Sequence, residues 1–378
     1  MSKLDELIQQ YCPDGVEYKK LGDVLGVNRG KRLTKSELSE DGQYYVYHGS
    51  KDTPLGKYTQ FNVKGNTTIV VNTGGIGGVK FCADDFWCSD GSFWIGHSEL
   101  LNDKYVYYFL SPLETYFASQ KRVGGVPTID RSVVENVSIP VPPLPVQEEI
   151  VRILDNFAEL QAELQAELQK RLQQYNYYRD NLLSFEGRTD IEWKSLGEIA
   201  QYAKERVDSS LISTHNYVSV ENLLQNREGK KDASTVPSGS LIKYEKGDIL
   251  IGNIRPYLQK IWLADLDGGT NGDVLTIKIT DKNITPSYLY HILASDAFFL
   301  YDMSYVKGAK MPRGDKSAVM NYMVPIPSLE EQKKIVDILD RFHTLTTDIT
   351  AGLPAEIEAR RKQYEYYRDQ LLTFKQKA

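Results

Sequence analysis

The sequence is poor in the residues on which disulfide, metal and nucleophilic chemistry rest. It has three cysteines in 378 residues, Cys12, Cys82 and Cys88. That set is too sparse and too odd for a disulfide framework, and no second Cys or His pair completes a zinc site. Unpaired thiols in a reducing cytoplasm are expected. The five histidines (His48, His97, His215, His291, His343) are scattered without metal-ligand spacing. No run approaches the ~18 apolar residues that span a bilayer. The opening segment is acidic and lacks an apolar h-region, so no secretory leader is expected. Gly49–Tyr58 resembles a phosphate loop but has no Ser/Thr after its lysine, and the glycine-dense Thr73–Val79 does not fit a dinucleotide fingerprint. No Asn/Asp-Pro-Pro-Tyr/Phe segment is present. By itself the chain is expected not to be an enzyme and to hold neither cofactor nor metal.

Charge is scarce in net terms and uneven in placement. The total is −6. Residues 16–143 carry 14 basic and 14 acidic groups, and residues 191–327 carry 16 of each. Residues 144–190 hold 5 basic against 9 acidic. The acidity is therefore concentrated in one helical segment. Two neutral regions remain, each able to present a basic face.

What the sequence does have is a duplication. Ile139-Pro-Val-Pro-Pro-Leu-Pro-Val-Gln147-Glu-Glu-Ile-Val-Arg-Ile-Leu-Asp155-Asn-Phe157 returns as Val324-Pro-Ile-Pro-Ser-Leu-Glu-Glu-Gln332-Lys-Lys-Ile-Val-Asp-Ile-Leu-Asp340-Arg-Phe342. Tyr175-Asn-Tyr-Tyr178-Arg179-Asp-Asn-Leu-Leu returns as Tyr364-Glu-Tyr-Tyr367-Arg368-Asp-Gln-Leu-Leu. The openings also match, Tyr18-Lys-Lys-Leu-Gly22 against Trp193-Lys-Ser-Leu-Gly197. Such a period is far longer than that of a solenoid, so this is a duplicated module.

Each copy has one plan. β-like runs bounded by Gly, Asn and Asp (Thr67–Val71 and Gly91–Ile95; Asp248–Gly252 and Val274–Ile279) mix with short helices at Tyr105–Leu110 and Ser287–Ala294. A Pro-rich hinge then opens a long amphipathic helix. The apolar stripes run Ile150, Ile153, Phe157 to Tyr175, and Ile335, Ile338, Phe342, Ile349 to Tyr364, at spacings of three and four. Gly352-Leu353-Pro354 either kinks the second helix or begins a new one. The fold class expected is α+β: two small α/β domains in tandem, separated by two long antiparallel helices forming a coiled coil. The domains expected are 1–144, helix 145–187, 188–327 and helix 328–378.

Inside the first helix, Ala158-Glu-Leu-Gln is repeated perfectly at Ala162 and Ala166. One tetrapeptide adds ~6 Å and a net ~40° of phase, which is the behaviour of a spacer.

Candidate DNA contacts fall in matching places. Asn253, Arg255, Tyr257 and Lys260 follow a predicted strand and offer groups that pair with base edges. Lys307, Lys310, Arg313 and Lys316 form a Gly/Pro loop suited to phosphates. In the first copy the equivalents are Asn72, Thr73 and Lys80, with Lys121 and Arg122.

Taken together, the Gln-x-x-Ile-Val-x-Ile-Leu-Asp and Tyr-x-Tyr-Tyr-Arg-Asp-x-Leu-Leu motifs after two divergent halves resemble the specificity subunit of type I restriction–modification systems. The resemblance covers essentially the whole chain. It implies a non-catalytic reader of double-stranded DNA with a bipartite, asymmetric target. It further implies two methyltransferase subunits docked on the helices, around Gln147, Asp155, Tyr178, Arg179, Gln332, Asp340, Tyr367 and Arg368, with restriction/translocase subunits joining for cleavage. S-adenosylmethionine, ATP and magnesium would then belong to those partners. The alternative is an orphan two-domain DNA-binding or adaptor protein without associated enzymes.

Overall fold

The structure is a computed structural model that describes residues 2–122, 124–308, 311–347 and 352–377. Its contacts divide the chain into two units, Met1–Glu163 with Glu358–Ala378, and Leu164–Ile357. In chain order the elements are α1 (Lys3–Tyr11), β1 (Tyr18–Lys20), α2 (Leu21–Val24), β2 (Val27–Arg29), β3 (Tyr44–Tyr47), β4 (Gly56–Tyr58), β5 (Thr67–Val71), β6 (Val79–Cys82), β7 (Trp87–Cys88), β8 (Ser92–Ile95), α3 (Asp103–Leu110), α4 (Glu114–Ser119), α5 (Arg131–Glu135) and β9 (Ser138–Pro140). The long α6 (Leu144–Leu182) follows. Then come β10 (Glu192–Ser195), α7 (Leu196–Ile199), β11 (Ala200–Tyr202), β12 (Arg206–Asp208), β13 (Tyr217–Val218), β14 (Ser240–Tyr244), β15 (Ile249–Gly252), β16 (Ile261–Leu263), β17 (Gly268–Thr270) and β18 (Val274–Ile279). The chain closes with α8 (Pro286–Leu293), α9 (Asp296–Ser304), α10 (Lys316–Met320), β19 (Met323–Ile326), α11 (Leu329–Thr347) and α12 (Leu353–Leu371).

The two units are built alike. Each has a four-stranded antiparallel sheet, β2-β8-β5-β6 in the first and β11-β18-β15-β16 in the second. The central strands β5 (Thr-Thr-Ile-Val-Val) and β15 (Ile-Leu-Ile-Gly) are buried along their whole length, as expected for strands covered on both faces. A second small sheet accompanies each, β4-β3-β7 and β12-β14-β17-β13, and each contains one parallel pair. A two-stranded ribbon, β1-β9 or β10-β19, joins the start of each unit to its hinge. The tyrosine of the short helix ties down that hinge: Tyr105 Oη donates to the Pro140 carbonyl at 3.2 Å, and Tyr288 Oη to that of Pro325 at 3.1 Å.

The long helices pair end to start within each unit. In the first, Phe157 near the start of α6 stacks on Tyr367 near the end of α12, with ring centroids 5.6 Å apart. In the second, Tyr178 near the end of α6 stacks on Phe342 of α11 at 5.3 Å. The helices are therefore antiparallel. The second rod is two helices, α11 and α12, with Pro354 in the first turn of α12, where a missing N–H costs nothing. Ile349 lies outside the described residues. No residue of α6 between Asp155 and Gln174 is buried, so the tetrapeptides contribute nothing to either core.

Candidate nucleic-acid interface

The duplication places two asparagines identically. Asn72 follows β5 and Asn253 follows β15, and both side chains are buried (2% and 6% exposed). The Asn72 N–H donates to the Gly91 carbonyl at 3.0 Å, and its own carbonyl accepts from Ile129 at 3.1 Å. The Asn253 N–H donates to Asp273 at 2.9 Å, and its carbonyl accepts from Gly314 at 3.2 Å. With both side chains buried, and Asn72 Nδ2 3.3 Å from the Asp90 carbonyl, these two amides expose little of a base-reading edge. They fasten the loop that follows α4 or α9 to the end of the central strand. A residue that does the same work in both units belongs to the scaffold.

That loop is also built twice. Thr73 and Ile254, each next to the asparagine, form bridges to Thr128 and Arg313. Arg122 and Lys307, at the first arm, pair with Thr128 and Arg313 across the hairpin. Each of these cations is then held by the aspartate that precedes the next helix, Arg122 by Asp130 and Lys307 by Asp315. Both cations keep most of their surface, 69% and 79%, so the pairing aims them without hiding them. Lys121 is exposed beside Arg122. Lys310 lies outside the described residues.

The remaining candidates separate by exposure. Arg255 and Gln259 have left-handed backbones (φ 55° and 52°), which bracket the Pro256–Leu258 turn and push it outward. An L-residue there costs about 1 kcal/mol, which the Arg255 N–H to Pro312 bond at 2.7 Å helps offset. The Arg255 and Tyr257 side chains are exposed and make no hydrogen bond or ion pair among the described residues. Lys260 instead donates to the Val220 carbonyl at 2.5 Å, and burial holds its ammonium below the ordinary lysine value. That bond ties it to the segment after β13. Lys80 lies 5.3 Å over the Tyr47 ring, and Lys316 reaches the Gly272 carbonyl at 3.4 Å.

The helix residues expected to receive partners are mostly committed within the chain. Gln147 and Gln332 are fully buried. Gln147 Nε2 donates to Leu100 and Pro142 carbonyls while Oε1 accepts from the Asn102 N–H. Gln332 repeats this with Asn283, Pro327 and Thr285. They lock each helix to its own domain and are not free to bind a partner. Asp155 takes Lys104 Nζ (2.7 Å) and Tyr108 Oη (2.6 Å), and Asp340 takes His291 Nε2 (2.8 Å). Arg179 is fully buried against Asp296 at 2.8 Å, whereas Arg368, 15% exposed, among the described residues holds only Asp369 and lies over the Tyr364 ring. Tyr178 and Tyr367 remain about two-fifths exposed at the seam. The three cysteines are free and buried, and burial pushes the Cys82 thiol up to about 12.

A buried acid backs the second unit's loop. A Cβ at Gly314 would meet Asp302 Oδ1 at 2.5 Å and Asn253 Oδ1 at 2.9 Å, so both oxygens crowd the same glycine. Neither has a donor among the described residues, and burial, helped by the Asp315 charge, pushes the Asp302 carboxyl up to about 6. A raised acid pKa means that stability is fully present below about pH 4 and is lost as pH rises through 6. Asp302→Asn cannot ionise. It should gain on the order of 2 kcal/mol over the wild type at pH 8 and nothing at pH 4, as read by denaturant unfolding at the two pH values. Equal effects at both would contradict this.

Among the described residues there is no cluster of metal ligands, and no helix is long and apolar enough to cross a membrane. Comparison with known proteins agrees with the paired construction. The family model for the type I restriction modification DNA specificity domain matches twice, over residues 13–174 and 189–359. The EcoR124I/EcoR124II type I restriction enzyme specificity subunit of Escherichia coli is 35% identical over 301 residues, covering 72% of this chain and 70% of that protein. A putative type I restriction enzyme specificity subunit of Haemophilus influenzae is 28% identical over 387 residues, covering 95% and 96%. The crystal structure of a type I system S subunit from M. genitalium shares the fold, with TM-score 0.57 at 17% identity over 94% of this chain and 95% of that one.

Proposed function

The chain belongs to the type I restriction modification DNA specificity family, and from that membership and the doubled scaffold we propose that it reads a bipartite, asymmetric DNA site for enzymes it does not itself contain. The observation that carries this is the repeated frame around Asn72 and Asn253. The same buried amide and the same aspartate-braced cationic loop recur, while the exposed residues around them differ. One frame with two surfaces suits two half-sites of different sequence. Arg122, Lys307, Lys121 and Lys316 supply phosphate contacts that fix register, and Arg255 and Tyr257 face outward from a fixed turn toward base edges. Two methyltransferase subunits dock along the helices, with the half-exposed Tyr178 and Tyr367 among their contacts, and restriction/translocase subunits join for cleavage. S-adenosylmethionine, ATP and magnesium belong to those subunits, and the assembly works in the cytoplasm.

The purified chain alone is expected to transfer no methyl group from labelled S-adenosylmethionine to DNA. Adding the methyltransferase subunit should give sequence-specific transfer. Turnover by the chain alone, or specificity that persists when the chain is omitted, would sink this reading.

A further inference from the structure

Beside each buried asparagine the sheet ends in an open cleft. In the first unit it measures about 270 Å³, with Arg29, His48, Thr73, Asp90 and Thr128 in its walls. In the second it measures about 570 Å³, with Lys231, Ile254, Asn271 and Asp273 among its walls. The two occupy the same place in the duplicated frame. Thr73 and Ile254 are the residues after the asparagines, and Asp90-Gly91 and Asp273 lie where the asparagine N–H is received. The positions match and the chemistry does not.

In the first cleft the exposed donor is a guanidinium. His48 Nδ1 lies 3.2 Å from the Gly91 N–H, 3.1 Å from Ser89 Oγ and 3.3 Å from Asp90 Oδ1, so that edge of the ring is taken up within the cleft wall. Among the described residues, Arg29 at the end of β2 uses only its Nε, at 3.4 Å from the Asp90 carbonyl, and both terminal nitrogens of its exposed guanidinium are left over. Two parallel N–H donors on one planar group match guanine O6 and N7. In the second cleft acceptors dominate: Asp273 stands with Glu221 and Asp232 against Lys231. Arg313 grips Asp273 Oδ1 at 3.1 Å, which orients the carboxylate while 45% of its side chain stays exposed. A carboxylate there pairs with an exocyclic amino group, cytosine N4 or adenine N6.

We propose that these two clefts each read one base, Arg29 a guanine in one half-site and Asp273 an amino-bearing base in the other. This rests on the DNA-reading function above and adds the specificity-determining residues. Neither Arg29 nor Asp273 contributes to a core, so their substitution should leave the fold intact, as a thermal melt will verify.

The test co-expresses the full chain with its methyltransferase subunits and maps methylated sites genome-wide for the wild type, Arg29→Ala, Arg29→Lys and Asp273→Asn. Arg29→Ala should relax one position of one half-site and weaken binding to the cognate duplex roughly tenfold or more. Arg29→Lys keeps the charge but not the two-pronged donor, so it should relax the same position with a smaller loss of affinity. Asp273→Asn should relax one position of the other half-site only. An unchanged methylation pattern overturns the assignment for that residue. Uniform weakening without relaxation makes the contact one to phosphate and overturns it too. A wild-type pattern with no bipartite site would overturn the functional reading itself, and this proposal with it.

Discussion

Asp296→Ala is expected to destabilise the second unit by roughly 3 kcal/mol, because it strands two buried guanidinium groups at once. Arg179, fully buried at the end of α6, donates to Asp296 Oδ2 at 2.8 Å, and Arg227, 14% exposed, pairs with the other oxygen. Burial alone would raise the Asp296 carboxyl, but Arg227 and Arg179 outweigh it and hold the group below its ordinary value. The cluster has no slack. Among the described residues Arg179 Nη1 and Arg227 Nε already lack partners, so no spare acceptor there stands ready to replace the lost carboxylate. Arg179 would keep only Asp180, at 3.2 Å and more than half exposed. For a unit of this size the loss corresponds to a fall of about 10 °C in Tm. Arg368→Ala is the internal control, since among the described residues Arg368 pairs with its neighbour Asp369 and with no acid across the unit. It should cost under about 1 kcal/mol. Comparable losses in the two variants would contradict the account.

The sequence alone shows the duplication because both copies must solve the same packing problem. The apolar stripe at Ile150 and Ile153, repeated at Ile335 and Ile338, the helix-opening prolines and the all-apolar strands β5 and β15 are local signals, and the structure has elements at those places. The roles of the shared polar residues are not local. The burial of Asn72 and Asn253 depends on Gly91, Ile129, Asp273 and Gly314, all distant in sequence, whose backbones bond to theirs. Gln147 looks like a surface residue until the Leu100–Asn102 loop, 45 to 47 positions away, takes up its amide. Arg29 and Asp90 are 61 residues apart and meet only through the β2–β8 pairing. One signal was available: residues identical in two halves that must read different bases carry the frame, and the residues that differ carry the reading.

The second large effect concerns the spacer. Deleting Ala162–Gln165 removes one of three identical tetrapeptides from a stretch of α6 with no buried residue. The boundary between the units, Glu163 to Leu164, falls inside it. Leu160 then stands four positions before the former Leu168, so the apolar stripe survives and both units should fold as before. The helix shortens by ~6 Å and turns by a net ~40°. One step of B-DNA rises ~3.4 Å and turns roughly 35°. The rotation fits one base pair, and the hinges at Pro142–Pro145 and Gly187 take up the difference in length.

The account's central claim is that two independent readers are held at a set distance by a helical spacer. It is tested most directly by mapping methylated adenines in cells that carry the chain with its methyltransferase subunits, with and without this deletion. The account predicts one bipartite, asymmetric site whose two half-sites keep their sequences while the gap between them shrinks by one base pair. An unchanged gap, or altered half-site sequences, would contradict it.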